Sequence, residues 1–381
     1  MFIFRLMNLY LIHPVFGVKI PLFALNDYLW FDSSIDLLLL FLLGLFAFVL
    51  LFLFRLKRKR LILEDQEKVT QYKIYGFFSS ILFEESLSEE DFNRQVEKFK
   101  KKIPFKKRWC KELLIENIID LDKNLKGNQK EILIKAYLQF GLFTYMKSLL
   151  ETGRWYYISK ALYYWRELGY APSAKAIYPF VKHKNMQIRT AALLAYISLS
   201  EEDPLKILED YADFISPIDE LKLIDIIQRK KIKKPSQLGQ WLDFDIPTHV
   251  GFVLKLVSHY NALEYKDKVL ELLESEDEHI RKSALDVVKK LYISEAESIL
   301  IKLYDNESEE IKISMIEALS DIGSSESEAF LYEIVKSQSR SEILLAAMEG
   351  LKKLDSDYFQ MEYATDSVLA AVKKHVLDPH I

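Results

Sequence analysis

The chain has 381 residues, with 52 Lys and Arg against 56 Asp and Glu for a formal net charge of −4, and half of it is hydrophobic. That mild acidity lacks the basic footprint of a nucleic-acid binder, and 11 glycines with 10 prolines are too few for a turn-rich all-β protein. The single cysteine, Cys110, rules out an intrachain disulfide, fits a reducing compartment and reads as a small buried thiol.

Residues 1–34 are expected to form an extracytoplasmic leader. Their apolar character is interrupted by Arg5, His13, Pro14, Lys19 and Pro21, and the uncharged run 6–18 is too short to span a bilayer. A leader, a signal peptide lacking a convincing small-x-small cleavage site, and a start at Met7 all fit this stretch. Asp27, Asp32 and Asp36 follow, with Tyr28, Trp30 and Phe31 at interfacial depth.

Residues 37–54, LLLLFLLGLFAFVLLFLF, carry no charge, proline or amide. As a helix they reach roughly 27 Å, close to the hydrocarbon thickness of a bilayer. A transmembrane helix is expected over 35–56. Arg55, Lys57, Arg58, Lys59 and Arg60 come next, and the excess of Lys and Arg on that side places the N-terminus outside and the remainder in the cytoplasm. The expectation is a single-pass protein of a bacterial inner membrane.

Residues 57–104 are expected to be a membrane-proximal helical linker. Leu61, Val69, Tyr72, Ile74, Phe77, Phe78, Ile81 and Leu82 make an apolar stripe over 61–85, and Ser88-x-x-Asp91 resembles a capping box. A basic cluster follows at Lys98, Lys100, Lys101, Lys102, Lys106, Lys107, Arg108 and Lys111. Near an anionic leaflet each such cation contributes about 1 kcal/mol. The candidate membrane-surface residues are therefore Arg55, Lys57, Arg58, Lys59, Arg60, Lys100, Lys101 and Lys102.

Residues 105–381 read as helix after helix without period-2 strands. Nine-residue segments starting at Ile280, Ile311 and Ile343 align without gaps, and the same frame recurs at Ile188. Weaker copies start at Leu221 and Val250 and are assigned by period. Asp277, Ser308 and Ser339 precede the three strong copies as turn residues. In 311–319 the apolar positions Ile311, Met315, Ile316 and Leu319 share one face, and Ala329, Leu331, Ile334 and Val335 form the matching face of the following helix. One helix pair buries too little alone, so the units must stack. Residues 365–377 suit a terminal cap, with Thr365 as N-cap and Lys373, Lys374 and His375 at the helix's negative end.

The motifs Asn185-x-x-Ile188-Arg189-x-x-Ala192 and Asp277-Glu-His-Ile280-Arg281-x-x-Ala284 resemble the first helix of HEAT repeats, in the short form shared with phycobilin-lyase-like repeats. Leu319-Ser-Asp-Ile322-Gly323 is similar to the end of that helix. The resemblance is clear over 185–355 and fainter over 105–185, and the copies at Leu221 and Val250 lack the arginine. It implies a right-handed α-solenoid of HEAT-like pairs, so the expected fold class is all-α, a single transmembrane helix followed by that solenoid. It also implies protein binding, with no catalytic residues.

Two stretches stand out from the repeat. WYYISKALYYWRELGY at 155–170 holds seven aromatic residues. Trp155, Ile158, Leu162 and Trp165 can share a buried face, which leaves Tyr156, Tyr163 and Tyr164 as candidate partner-binding residues. Residues 229–234, RKKIKK, read as a solvated basic turn.

The sequence contains no Gly-rich phosphate loop, no HExxH, no paired-cysteine spacing and no EF-hand frame. Its seven histidines are isolated and read as caps or surface residues. No catalytic, cofactor or metal site is expected, and the chain is read as a non-enzyme. The expected function is a membrane-anchored cytoplasmic scaffold for an unidentified protein, with no nucleic-acid or small-molecule ligand. The alternatives are an accessory subunit of a membrane enzyme such as a glycosyltransferase, and a helical-repeat enzyme of lyase or DNA glycosylase type.

Overall fold

The computed structural model describes residues 33–83, 88–123, 125, 128–337, 340–354 and 368–377. Residues 1–32 of the expected leader, the turn at Ser339 and the cap at Thr365 lie outside the described residues, while Ser33, Ser34 and Asp36 fall within the first helix. Among the described residues the protein is all-α, without strands. It divides into two compact units, Met1–Ser86 with Lys98–Leu113, and Leu87–Glu97 with Leu114–Ile381.

In the first unit, helix α1 runs unbroken over Ser33–Leu82, about 75 Å at 1.5 Å per residue. No break separates the expected span at 35–56 from the expected linker. The basic run consists of good helix formers, and no proline intervenes between Pro21 and Pro104. From Leu37 to Phe54 every side chain is exposed. This helix is long and apolar enough to cross a membrane, with a window of mean hydropathy 3.2. The stripe expected over 61–85 divides in two. Leu61, Val69 and Tyr72 are exposed, while Ile74, Phe77, Phe78, Ile81 and Leu82 are buried.

Helix α2 (Glu89–Lys102) begins with the expected capping box: Asp91 N–H donates to Ser88 Oγ at 3.2 Å, and Ser88 Oγ donates to Asp91 Oδ2 at 2.7 Å. Its last turn packs on α1, where Phe99 stacks on Phe77 with ring centroids 4.2 Å apart. Lys73 Nζ of α1 donates to the Lys102 carbonyl at 3.3 Å. Helix α3 (Arg108–Asp122) carries Cys110, which is buried as expected, and burial pushes its thiol up to about 11.

The second unit continues with α4 (Asn128–Gln139), α5 (Leu142–Glu151), α6 (Trp155–Leu168), α7 (Ala174–Ile177), α8 (Met186–Leu199), α9 (Pro217–Lys230), α10 (Leu238–Trp241), α11 (Pro247–His259), α12 (Lys266–Leu272), α13 (Glu278–Leu291), α14 (Glu297–Leu303), α15 (Glu309–Ile322), α16 (Ser325–Ser337), α17 (Ser341–Leu354) and α18 (Val368–Val376). Long first helices alternate with shorter second helices, and they stack as repeats. Helix α8 packs on α6, α11 on α13, α13 on α15 and α15 on α17. Lysine–carboxylate pairs recur about one repeat apart, among them Lys182–Asp210 (2.6 Å), Lys266–Glu295, Lys282–Glu310 and Lys289–Glu317.

Local chemistry sets the frame of α8 and α13. Asn185 Oδ1 accepts from the Gln187 and Ile188 amides, and Asp277 Oδ1 accepts from the Ile280 amide. Ile188, Ile280, Ile311 and Ile343 are each the third residue of their helix, so the four-copy alignment holds. Three of them are buried and Ile280 is half-buried. Gly323 ends α15 at φ 72°, in the left-handed region that glycine favours, and its N–H donates to the Leu319 carbonyl. The two weaker copies are out of frame. The N-cap Ser216, accepting from the Asp219 amide, makes Asp219 the third residue of α9, so Leu221 falls on the exposed face. In α11 the third residue is the buried His249, one before Val250.

Candidate interaction surfaces

On α6 the aromatic surplus separates by burial. Ile158, Ala161, Leu162, Trp165 and Leu168 form the inner face. Trp165 Nε1 donates to Tyr137 Oη at 3.0 Å within the core. Tyr164 is 1% exposed and its hydroxyl donates to Glu116 at 2.5 Å. It is therefore not a surface residue, because it lies one position before Trp165 on a face wider than one stripe. Conversely Trp155, expected inside, is 55% exposed, since it opens the helix ahead of the first buried turn. The surface aromatics are Trp155, Tyr156 and Tyr163. Arg154 donates to Tyr156 Oη at 3.1 Å, and the Arg166 guanidinium lies 5.6 Å from the Tyr163 ring centre.

A second surface lies where the repeat changes polarity. At the fourth helical position α8 and α13 carry Arg189 and Arg281. Arg189 binds Asp213 and the His183 carbonyl, and Arg281 binds Glu307 and the Ser275 carbonyl. Each arginine so clips its own entry loop to an acid of the following loop. At the same position α9 carries Glu220, 2% exposed, with one oxygen held by Lys255 of α11 and the other without a hydrogen-bond partner. At the second and fifth positions α9 turns out Ile218 and Leu221, the latter 71% exposed. Helices α8 and α13 have Gln187, Thr190, His279 and Lys282 there. Helices α9 and α11 lack the close packing of the later steps, and a groove of about 300 Å³ opens between α9, α11 and α13. Leu221 and Ile224 line one wall, Lys255, Ser258 and His259 the floor, and Asp286 and Lys290 the other wall. The sequence signal for this edge is the Ser216-Pro217 helix start, which fixes the frame of α9.

The basic residues fall in three places. Arg55, Lys57, Arg58, Lys59 and Arg60 are exposed around α1, with Arg60 paired to Glu64 at 2.9 Å. Lys101 and Lys102 are exposed, whereas Lys100 is half-buried with its ammonium 5.4 Å from the Phe105 ring centre. In the 229–234 loop, Lys230 donates to the Ile197 and Ser200 carbonyls at the end of α8, Arg229 pairs with Asp225, and Lys234 pairs with Glu264. The turn is exposed, as expected, and Lys230 and Lys234 also tie it to neighbouring repeats.

His249 is buried, stacked on Tyr211 and edge-on to Phe244, with Nε2 2.8 Å from the Asp213 carbonyl. It is a core residue of the α9–α11 region and not a cap. Burial lowers its pKa, and the contact with the Asp213 carbonyl offsets part of that. No cluster of three or more metal-ligating side chains occurs among the described residues.

Residues 266–352, which span α12 to α17, match the family described as HEAT repeats. No curated protein matches the chain. Among solved structures the chain is similar to human deoxyhypusine hydroxylase in complex with glycerol, at 12% identity over 76% of this chain and 98% of that one, with a TM-score of 0.30. Two engineered proteins are similar at 13% and 14% identity, covering 75% and 64% of this chain and 78% and 96% of theirs, each with a TM-score of 0.30.

Proposed function

We propose that the protein is a membrane-anchored scaffold. In this reading α1 crosses the bilayer and the helical repeats hold a partner protein on the cytoplasmic side. The observation that carries it is the polarity change on α9, where Ile218 and Leu221 face outward beside an open groove. Exposed apolar edges of this kind, rimmed by polar groups, mark interaction sites. A partner helix with spaced apolar anchors suits the groove's shape and its mixed Lys255, Asp286 and Lys290 rim. Trp155, Tyr156 and Tyr163 supply a further set of aromatic anchors, a residue type enriched at binding hot spots. The basic residues at 55–60 support the orientation with the repeats in the cytoplasm.

The test uses the full-length protein carrying a photo-crosslinking residue at position 224. Leu221→Asp is expected to abolish the crosslinked partner band while leaving the melting temperature unchanged, because Leu221 is exposed. An undiminished band would refute the groove. A phosphatase fused after Ile381 that is active outside the cytoplasm would refute the orientation.

A further inference from the structure

The corner joining α2 to α3 carries a dense positive patch in the same compact unit as α1. From Lys98 to Lys111 there is no acidic residue. Lys98, Lys101, Lys102, Lys106 and Lys107 are exposed, and none forms an ion pair among the described residues. The corner is fixed to α1 by the Lys73–Lys102 hydrogen bond and the Phe77–Phe99 stack. Lys73 lies 13 residues beyond Arg60, about 20 Å along a continuous helix, and Phe77 about 26 Å.

We infer that α1 acts as a spacer and that this corner binds an acidic protein segment in the aqueous phase rather than the lipid surface. The inference rests on the reading that α1 spans the bilayer with residues 55–60 at the headgroups. At physiological ionic strength the Debye length is about 8 Å, so the corner stands more than two screening lengths from the lipid charges. Nucleic acid is disfavoured because no ring among the described residues of the corner is exposed for base stacking: Phe99 is buried on Phe77, Trp109 is half-buried, and half-buried Phe105 has the Lys100 and Lys111 ammoniums each 5.4 Å from its ring centre. Charge complementarity therefore favours an acidic polypeptide, whose flexible carboxylates can each meet a lysine.

The full-length protein is reconstituted in nanodiscs, and a fluorescent oligoglutamate peptide serves as the probe. The peptide is expected to bind with steep salt dependence, and Lys101→Glu/Lys106→Glu/Lys107→Glu to weaken it about tenfold. Lys231→Glu/Lys233→Glu, in the other basic loop, should leave binding unchanged. A dye on Lys106→Cys should show the same exposure to a headgroup quencher in neutral and phosphatidylglycerol nanodiscs. Quenching only in the anionic discs would overturn the inference in favour of lipid contact. Tighter binding of an oligothymidine than of the peptide would overturn it in favour of nucleic acid, and equal peptide binding by both triple and double variants would overturn it outright. Alkaline extraction of the protein from vesicles reports separately whether α1 is inserted.

Discussion

Tyr163 and Tyr164 are neighbours separated by roughly 100° around α6, and that angle decides their roles. Tyr164→Ala removes a fully buried ring, so a loss of about 3 kcal/mol or more is expected. Tyr163→Ala removes an exposed ring and should stay within about 0.5 kcal/mol. Thermal melting of the two single variants separates them, and equal losses would contradict the assignment of faces. His249 makes the second prediction at this scale. Its folded pKa is below the ordinary value near 6.5, so the unfolded chain binds the proton more readily. Its contribution is present in full above about pH 6.5 and is lost as the pH falls below that value toward the depressed folded pKa. The melting temperature should therefore drop between pH 7.5 and 5, and His249→Gln should flatten that drop.

At the scale of the element, the close approach of α15 and α17 depends on Gly350. A Cβ there would lie 2.1 Å from Ser320 Oγ and 3.1 Å from Leu331 Cδ1. Ser320 Oγ is itself held by the Ile316 carbonyl at 2.7 Å. Alanine would gain about 1 kcal/mol of helix propensity, but overpacking at a buried helix contact costs about 1–3 kcal/mol. Gly350→Ala is expected to lower the melting temperature, and adding Ser320→Ala should recover part of the loss. A stabilising Gly350→Ala would show that the two helices have room between them. Elements were legible where caps spoke for themselves: Asn185, Asp277 and Gly323 mark helix ends by local hydrogen bonding and backbone conformation. Helix α9 was not legible by period alone. Its leucine and isoleucine residues sit on two faces, and only the Ser216 cap shows which pair is turned outward.

Across the whole molecule, stability in the repeats comes from nearest neighbours. Exposed ion pairs between repeats contribute about 0–1 kcal/mol each, so the apolar contacts between first helices dominate. Ile311→Asp buries an unpaired carboxylate in α15. In a quasi-one-dimensional stack the damage should be greatest in the adjoining repeats. Amide exchange should accelerate over α13 to α17 and change little in α8, while Lys312→Asp, which loses a hydrogen bond to the Asp305 carbonyl but buries no carboxylate in the core, should have the smaller effect. Uniform acceleration throughout the second unit would mean that it unfolds as one block.

The amino-acid order by itself determined the apolar run at 37–54, the basic residues that follow it, the helical class and the four-copy frame at Ile188, Ile280, Ile311 and Ile343. Each of these is encoded locally, in hydropathy and apolar period along one helix or, for Ile188 and Ile280, in a cap within three residues of the amide. Which aromatic ring on α6 is buried, why Glu220 is enclosed, where the stack loosens into a groove and how far the Lys98–Lys107 corner stands from Arg60 were decided only in three dimensions. Burial depends on what packs against a face, and a helix in a repeat array meets neighbours on more than one side. A single amphipathic period carries no record of which side stays open.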